Sequence, residues 1–252
     1  MGKFGEWCMT TEAATSPHKL STLKGAPSKR AHAIKVLAEA VPGYYAEPKR
    51  VAGLLRRLGR EEVAKYIDEK LPTSVQIRSG DLGEILCNAY VLEGTAFKLG
   101  IKRLRWKDHR NMSMRGEDVL AFYFSGPNRT LNVLKAEVKS RAAMTSKVIQ
   151  EARASLDSNK GLPSAHAISF VADKLSGKAN AELRDALDDA QLKKGLNTSQ
   201  ITHMIFTFSG SNPTEILTTN LTNYSGKIQQ NYVALQVEDH QLFVKSIFQA
   251  IK

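Results

Sequence analysis

A chain of 252 residues, 42% apolar and 24% charged, is long and apolar enough to bury a core, which excludes a protein disordered on compositional grounds. Its apolar runs fall short of the roughly 18 residues a membrane helix needs, and Met1-Gly2-Lys3-Phe4-Gly5-Glu6-Trp7 lacks the apolar run of a secretory signal, so a cytoplasmic protein without membrane contact is expected. The net charge of +11 suits a polyanionic partner such as nucleic acid.

Residues 1–30 are rich in Thr, Ser, Gly and Pro without periodicity and read as an arm or loosely packed entry segment. Helical patterns follow from Lys29 to Ala40 and from Pro48 to Leu71, the second broken near Gly59 and ended by Pro72. Residues 1–75 are thus expected to be a helical N-terminal region, and residues 76–252 a second unit with a C-terminal α/β extension. That unit opens with Ser79 as N-cap and an apolar stripe of Leu82, Ile85, Leu86 and Ala89. Cys87 falls in this pattern; it and Cys8 show no metal-ligand or disulfide spacing.

Between Lys98 and Arg115 lie seven cations and one acid, Asp108. Of these, Lys102, Arg103, Arg105, Lys107, Arg110 and Arg115 are candidate phosphate contacts, against the plainer reading of a solvated basic loop. Strand-like composition marks Ile101–Trp106, Val119–Phe124 and Leu131–Lys139, with a hairpin turn at Ser125-Gly126-Pro127-Asn128. Ala142–Leu156 reads as a helix stopped by Gly161-Leu162-Pro163. Ala167–Ala172 reads as a strand, Ala179–Lys194 as a helix and Ile201–Phe208 as a strand, while Tyr232–Ile251 fits strand then helix without being settled. Together these imply an α/β core, a mixed sheet flanked by helices.

The chemistry concentrates in Gly116-Glu117-Asp118-Val119 and Glu137-Val138-Lys139. Strand alternation puts Leu134, Ala136 and Val138 on the core face, and Lys135, Glu137, Lys139 and Arg141 on the other. A hairpin would bring Asp118 beside Glu137. Two adjacent carboxylates repel and favour a shared hard cation, for which Mg2+ (or Mn2+) is suited. A bound divalent ion activates water and polarises a phosphoryl oxygen, and Lys139 would stabilise the charge that develops on it. Glu117 could compete with Asp118 as ligand, but Asp118 shares its parity with Leu120, Phe122 and Phe124 and is preferred. The plainer alternative is an exposed strand face carrying an ordinary ion pair. The six histidines are scattered without zinc spacing, and no phosphate-binding loop for ATP is present.

The pattern Asp118…Glu137-Val138-Lys139, between two strands and before a helix, resembles the restriction-endonuclease-like PD-(D/E)xK superfamily. With Gly80-Asp81-Leu82-Gly83-Glu84, Gly116-Glu117-Asp118 and Lys135-Ala136-Glu137-Val138-Lys139-Ser140, it is more narrowly similar to the nuclease subunit of Hachiman-type antiphage defence systems. The resemblance is best over residues 78–175. It implies a restriction-endonuclease-like core, metal-dependent DNA cleavage and a helicase partner that restrains the nuclease. It also implies Asp118 and Glu137 as metal ligands, Lys139 as catalytic lysine, and Glu84 as the acidic residue of the first core helix. Glu84 lies opposite the Leu82, Ile85, Leu86 stripe, which alone reads as solvent, although Cys87 and Val91 lie near the same line. Gly116-Glu117 stands where the superfamily has a proline before the aspartate, and Gln150 is not followed by the tyrosine of the exonuclease-type branch. A catalytically silent module of the same fold, binding DNA or a partner, is the alternative.

Overall fold

The computed structural model describes residues 3–15 and 18–251. A 3-10 turn at Phe4–Glu6 leads into an antiparallel hairpin of β1 (Cys8–Thr15) and β2 (His18–Gly25). Five helices follow: α1 (Arg30–Ala40), α2 (Pro42–Tyr45), α3 (Pro48–Leu58), α4 (Arg60–Lys70) and the long α5 (Val75–Gly94). Gly59 divides α3 from α4 at φ +88°, a conformation that residues with a Cβ rarely adopt. Then come β3 (Lys98–Leu99), β4 (Val119–Ser125), β5 (Thr130–Arg141), α6 (Ser146–Asp157), α7 (Ala165–Lys174) and α8 (Ala181–Asp189). The chain closes with β6 (Ile201–Ser209), α9 (Thr214–Thr222), β7 (Gln229–Gln236) and α10 (His240–Ala250).

The strands form one seven-stranded mixed sheet in the order β1-β2-β7-β6-β5-β4-β3. Pairing is parallel from β2 through β7 and β6 to β5, and antiparallel in the hairpins at either edge. One face carries Leu134, Ala136, Met204, Phe206 and Val233 under α1, α5 and α10. The other carries Ile205, Tyr232 and Ala234 under α6 and α9, and Leu120, Phe122 and Val133 under α7. Covered on both faces, β6 is buried along its whole length, which is how parallel strands are normally stabilised. Among the described residues no helix is long and apolar enough to cross a membrane.

Four local expectations are corrected. The first thirty residues are not a loose arm: β2 pairs with β7 inside the sheet, and Phe4, Trp7 and Leu23 are buried. (Met1, Gly2, Ser16 and Pro17 of that stretch lie outside the described residues.) The helix expected from Ser79 begins four residues earlier, at Val75 after Ser74, and the Ser79 hydroxyl instead meets Ser140 Oγ at 2.8 Å. Ile101–Trp106 is not a strand but ends in a 3-10 turn, Arg103–Trp106. Ala167–Ala172 lies in helix α7, where Ser164 Oγ accepts from the Ala167 N–H as an N-cap. The closing segment resolves into strand β7 followed by helix α10.

Candidate active site

The β4–β5 hairpin sets the site. Val119 stands opposite Ala136, so the residue before β4, Asp118, arrives beside Glu137 and Val138. Asp118 Oδ2 accepts from the Val138 N–H at 2.8 Å, and Lys139 Nζ donates to Glu137 Oε1 at 2.6 Å. Alternation places Lys135 on the Glu137 face as well. There it is buried, its ammonium donating to the carbonyls of Leu156 and Leu162 at 3.1 Å each. It ties β5 to the end of α6 and is spent structurally.

Because β3 pairs only with Ala121 and Phe122, the first residues of β4 have no strand on their outer side. Arg103 enters there. Its Nε and Nη2 donate to Glu84 Oε1 and Oε2 at 3.0 Å each, and Nη2 also reaches Asp118 Oδ1 at 3.2 Å. Nη1 donates to the Glu117 carbonyl at 2.6 Å. Glu84 is therefore not a solvated residue. Helix α5 is buried nearly all round, and Glu84, 5% exposed, points into the same constellation as Asp118 from the opposite layer.

Electrostatics follow from this burial. Desolvation pushes the Glu84 carboxyl up to about 7, with Arg103 pulling it back. Burial also raises Asp118, again opposed by Arg103. Glu137 is raised by burial and then by the neighbouring charge of Asp118, with Lys139 opposing. Asp118 thus stands between two partners, Glu84 with Arg103 on one side and Glu137 with Lys139 on the other. Glu117, the rival ligand, is committed elsewhere: its carboxylate accepts from the Ser164 N–H and hydroxyl at 2.7 and 3.0 Å, capping α7.

The donor set of Glu84, Asp118 and Glu137 is the hard-oxygen chemistry that a divalent ion takes. In the described conformation, Arg103 balances those charges. Among the described residues no three carboxylate, imidazole or thiol groups converge as metal ligands. The guanidinium holds both oxygens of Glu84 and one of Asp118, while the Val138 amide holds the other.

The sequence profile of the HamA family matches residues 4–251. The chain belongs to the HamA family. It is also similar to the Hachiman protein HamA of Bacillus cereus, with 24% identity over 251 residues, covering 97% of this chain and 89% of the relative.

In this HamA-family chain the basic stretch does not form one exposed phosphate-binding surface. Arg103 is held as described. Lys107, with only 4% of its side chain exposed, pairs with Asp81 at 2.7 Å, where the Tyr45 hydroxyl also donates. Arg105 donates twice to the Gly43 carbonyl. Lys102 lies 4.0 Å from the centre of the Tyr44 ring, half-buried. Arg110 donates to the Asp68 carbonyl, and Arg115 is exposed. Arg103, Arg105 and Lys107 are each engaged by acceptors within the chain, the carboxylates of Glu84, Asp118 and Asp81 and the carbonyl of Gly43. Composition alone could not reveal this; the spacing of acids on α5, Asp81 and Glu84 three residues apart, was the available signal.

A cavity of about 440 Å³ opens beside these groups. Its lining includes Glu84, Asn88, Arg103 and Asp118, together with Ile101, Trp106, Met114 and Phe170. Asn88 and the aromatic pair were not singled out as site residues from sequence. The two free cysteines, Cys8 and Cys87, are buried and do not line this cavity.

Proposed function

We propose that this chain is a divalent-metal-dependent DNA nuclease of restriction-endonuclease-like fold, acting in Hachiman-type antiphage defence beside a helicase partner in the cytoplasm. The observation that carries the reading is the meeting of Asp118, Glu137 and Lys139 at the uncovered start of β4, in a chain of the HamA family. Asp118 and Glu137, with Glu84, would hold Mg2+ or Mn2+, which when bound supplies an activated water and a polarised phosphoryl oxygen.

The chain's own groups divide the remaining work. Glu137 Oε1 fixes the Lys139 ammonium at 2.6 Å, so the amine is presented in one orientation rather than sampling its rotamers. Positioned there, it stabilises negative charge that builds on the phosphoryl oxygens. The Val138 amide holds Asp118 in place without adding charge. Asp118, Glu137 and Lys139 keep only 26%, 17% and 19% of their side chains exposed, which limits competing water.

The test is incubation of supercoiled plasmid with the chain, alone and with its helicase partner, in Mg2+, Mn2+ or EDTA. Metal-dependent nicking or linearisation that disappears in Glu137→Ala and Lys139→Ala is the expected result. The second reading, a silent nuclease-fold module for DNA or partner binding, is favoured by Arg103, which already neutralises two of the carboxylates. DNA retardation without cleavage under every condition would select it.

A further inference from the structure

The cavity beside Asp118 has walls that phosphodiester chemistry does not use. Trp106 and Phe170 meet there edge to face, with ring centroids 6.3 Å apart and planes at 89°. Ile101, Met114 and Val171 add apolar surface. From α5 comes Asn88, only 3% exposed yet part of the cavity lining, and outside the hydrogen-bond network that joins Glu84, Arg103 and Asp118. An amide offers a donor and an acceptor together, which is what the edge of a heterocyclic base presents in return. Aromatic rings offer stacking that tolerates any base. A volume of about 440 Å³ falls within the range of small-ligand sites.

We propose that this cavity receives one nucleobase of a DNA strand whose phosphate lies at Asp118 and Glu137. Trp106 and Phe170 contact the base, and Asn88 hydrogen-bonds its edge. The placement of the phosphate rests on the nuclease reading above; the binding of a base does not. A base within a duplex is shielded by its neighbours and its partner, so the strand engaged is unpaired at that nucleotide. This deepens the reading toward single-stranded, frayed or base-extruded DNA as substrate.

The experiment uses the full chain in EDTA, so that no cleavage intervenes, and short single-stranded oligonucleotides carrying 2-aminopurine. The expected result is quenching on binding, and about tenfold weaker binding when one nucleotide is made abasic. Phe170→Leu and Asn88→Leu should each weaken the base-bearing oligonucleotide about tenfold and leave the abasic one unchanged. Trp106→Phe, which keeps a ring, should retain the quench where Trp106→Leu loses it, and thermal melts identify any variant that has unfolded. Equal affinity for base-bearing and abasic strands, or equal weakening of both by the folded variants, would overturn the proposal. Competition by free deoxyadenosine monophosphate at equal affinity would assign base recognition to free nucleotides; competition by oligonucleotide alone assigns it to a strand. Base-dependent binding without cleavage in any metal would sink the nuclease reading and leave the pocket standing. Cleavage lost in Glu137→Ala, without base-dependent binding, would sink the pocket alone.

Discussion

The Arg103 guanidinium decides the charge of the candidate site. It compensates buried Glu84 and partly exposed Asp118, so its removal leaves two carboxylates facing one another, one of them buried. Breaking one side of a buried ion pair typically costs about 3–5 kcal/mol, and Arg103→Ala is expected to lose that much in urea melts run in EDTA. Millimolar Mg2+ or Mn2+ should recover part of the loss, since a bound cation replaces the missing charge and stabilises the folded state by mass action. A variant as stable as the parent in EDTA, or indifferent to metal, would count against carboxylates arranged for a cation. A second residue lies on the central strand, β6, opposite Lys135 of β5. His203, fully buried, meets the Gly161 carbonyl through Nε2 at 2.8 Å and Arg153 through Nδ1. Nε2 therefore carries the proton and Nδ1 accepts from the guanidinium. Burial first, and the Arg153 charge as well, push this imidazole down to about 4, against the opposing Gly161 hydrogen bond. Between the ordinary value of about 6.5 and about 4 the unfolded chain takes up a proton that the folded chain refuses, so stability falls as pH falls. The contribution is complete above that window and amounts to roughly 3 kcal/mol lost across it. His203→Gln should flatten the acid limb of a stability profile between pH 6.5 and 4; an unchanged limb would show that other groups dominate it.

Among the elements, what the sequence disclosed depended on how many faces each one buries. The β4–β5 hairpin was legible because its turn residues and the alternation of Leu134, Lys135, Ala136 and Glu137 agree. That agreement places Asp118 beside Glu137 and Lys139, as the hairpin does. Strand β2 was not legible: Leu20 packs beneath α9 and Leu23 on the opposite face, so burial on both sides erased the period of two. The apolar run of α7 carries no period that separates strand from helix, and its one helical signal is the cap at Ser164. Glu84 was ambiguous because a helix buried all round has no polar face to define. The same burial makes a close contact testable. A Cβ on Gly83 would meet Val138 Cγ1 at 3.1 Å and the Ser140 Cβ at 3.2 Å. Neither atom can yield easily, one being on a β-branched side chain and the other bonded directly to the strand backbone. Helix propensity alone favours alanine over glycine by about 1 kcal/mol, yet Gly83→Ala is expected to destabilise by about 1–2 kcal/mol through crowding between α5 and β5. Unchanged or increased stability in denaturant melts would mean that β5 moves to make room, and that Glu84 is not rigidly placed over it.

Across the whole molecule, residues 8–15 and 18–25 belong to the sheet that carries the site. β2 continues the parallel run of β5, β6 and β7, and β1 then covers the edge β2 would otherwise expose. Trp7, 3% exposed, packs against Phe4 at 5.3 Å and Phe243 of α10 at 6.1 Å between ring centroids, joining the start of the chain to its end. Composition hid this, because Thr, Ser and Lys at the edge of a sheet look like linker when read without their neighbours. A separable arm and an integral hairpin make different demands on Trp7. Removing its side chain from an arm would cost nothing in the stability of the remaining domain. In the fold described it opens a cavity within the core shared by α1, α5 and α10, and Trp7→Ala is expected to cost about 3–5 kcal/mol in a urea melt followed by circular dichroism. The loss should appear as an earlier midpoint of a single cooperative transition, since the hairpin and the sheet unfold together. A separate early transition, with the main midpoint unmoved, would instead return residues 1–25 to the status of an appendage.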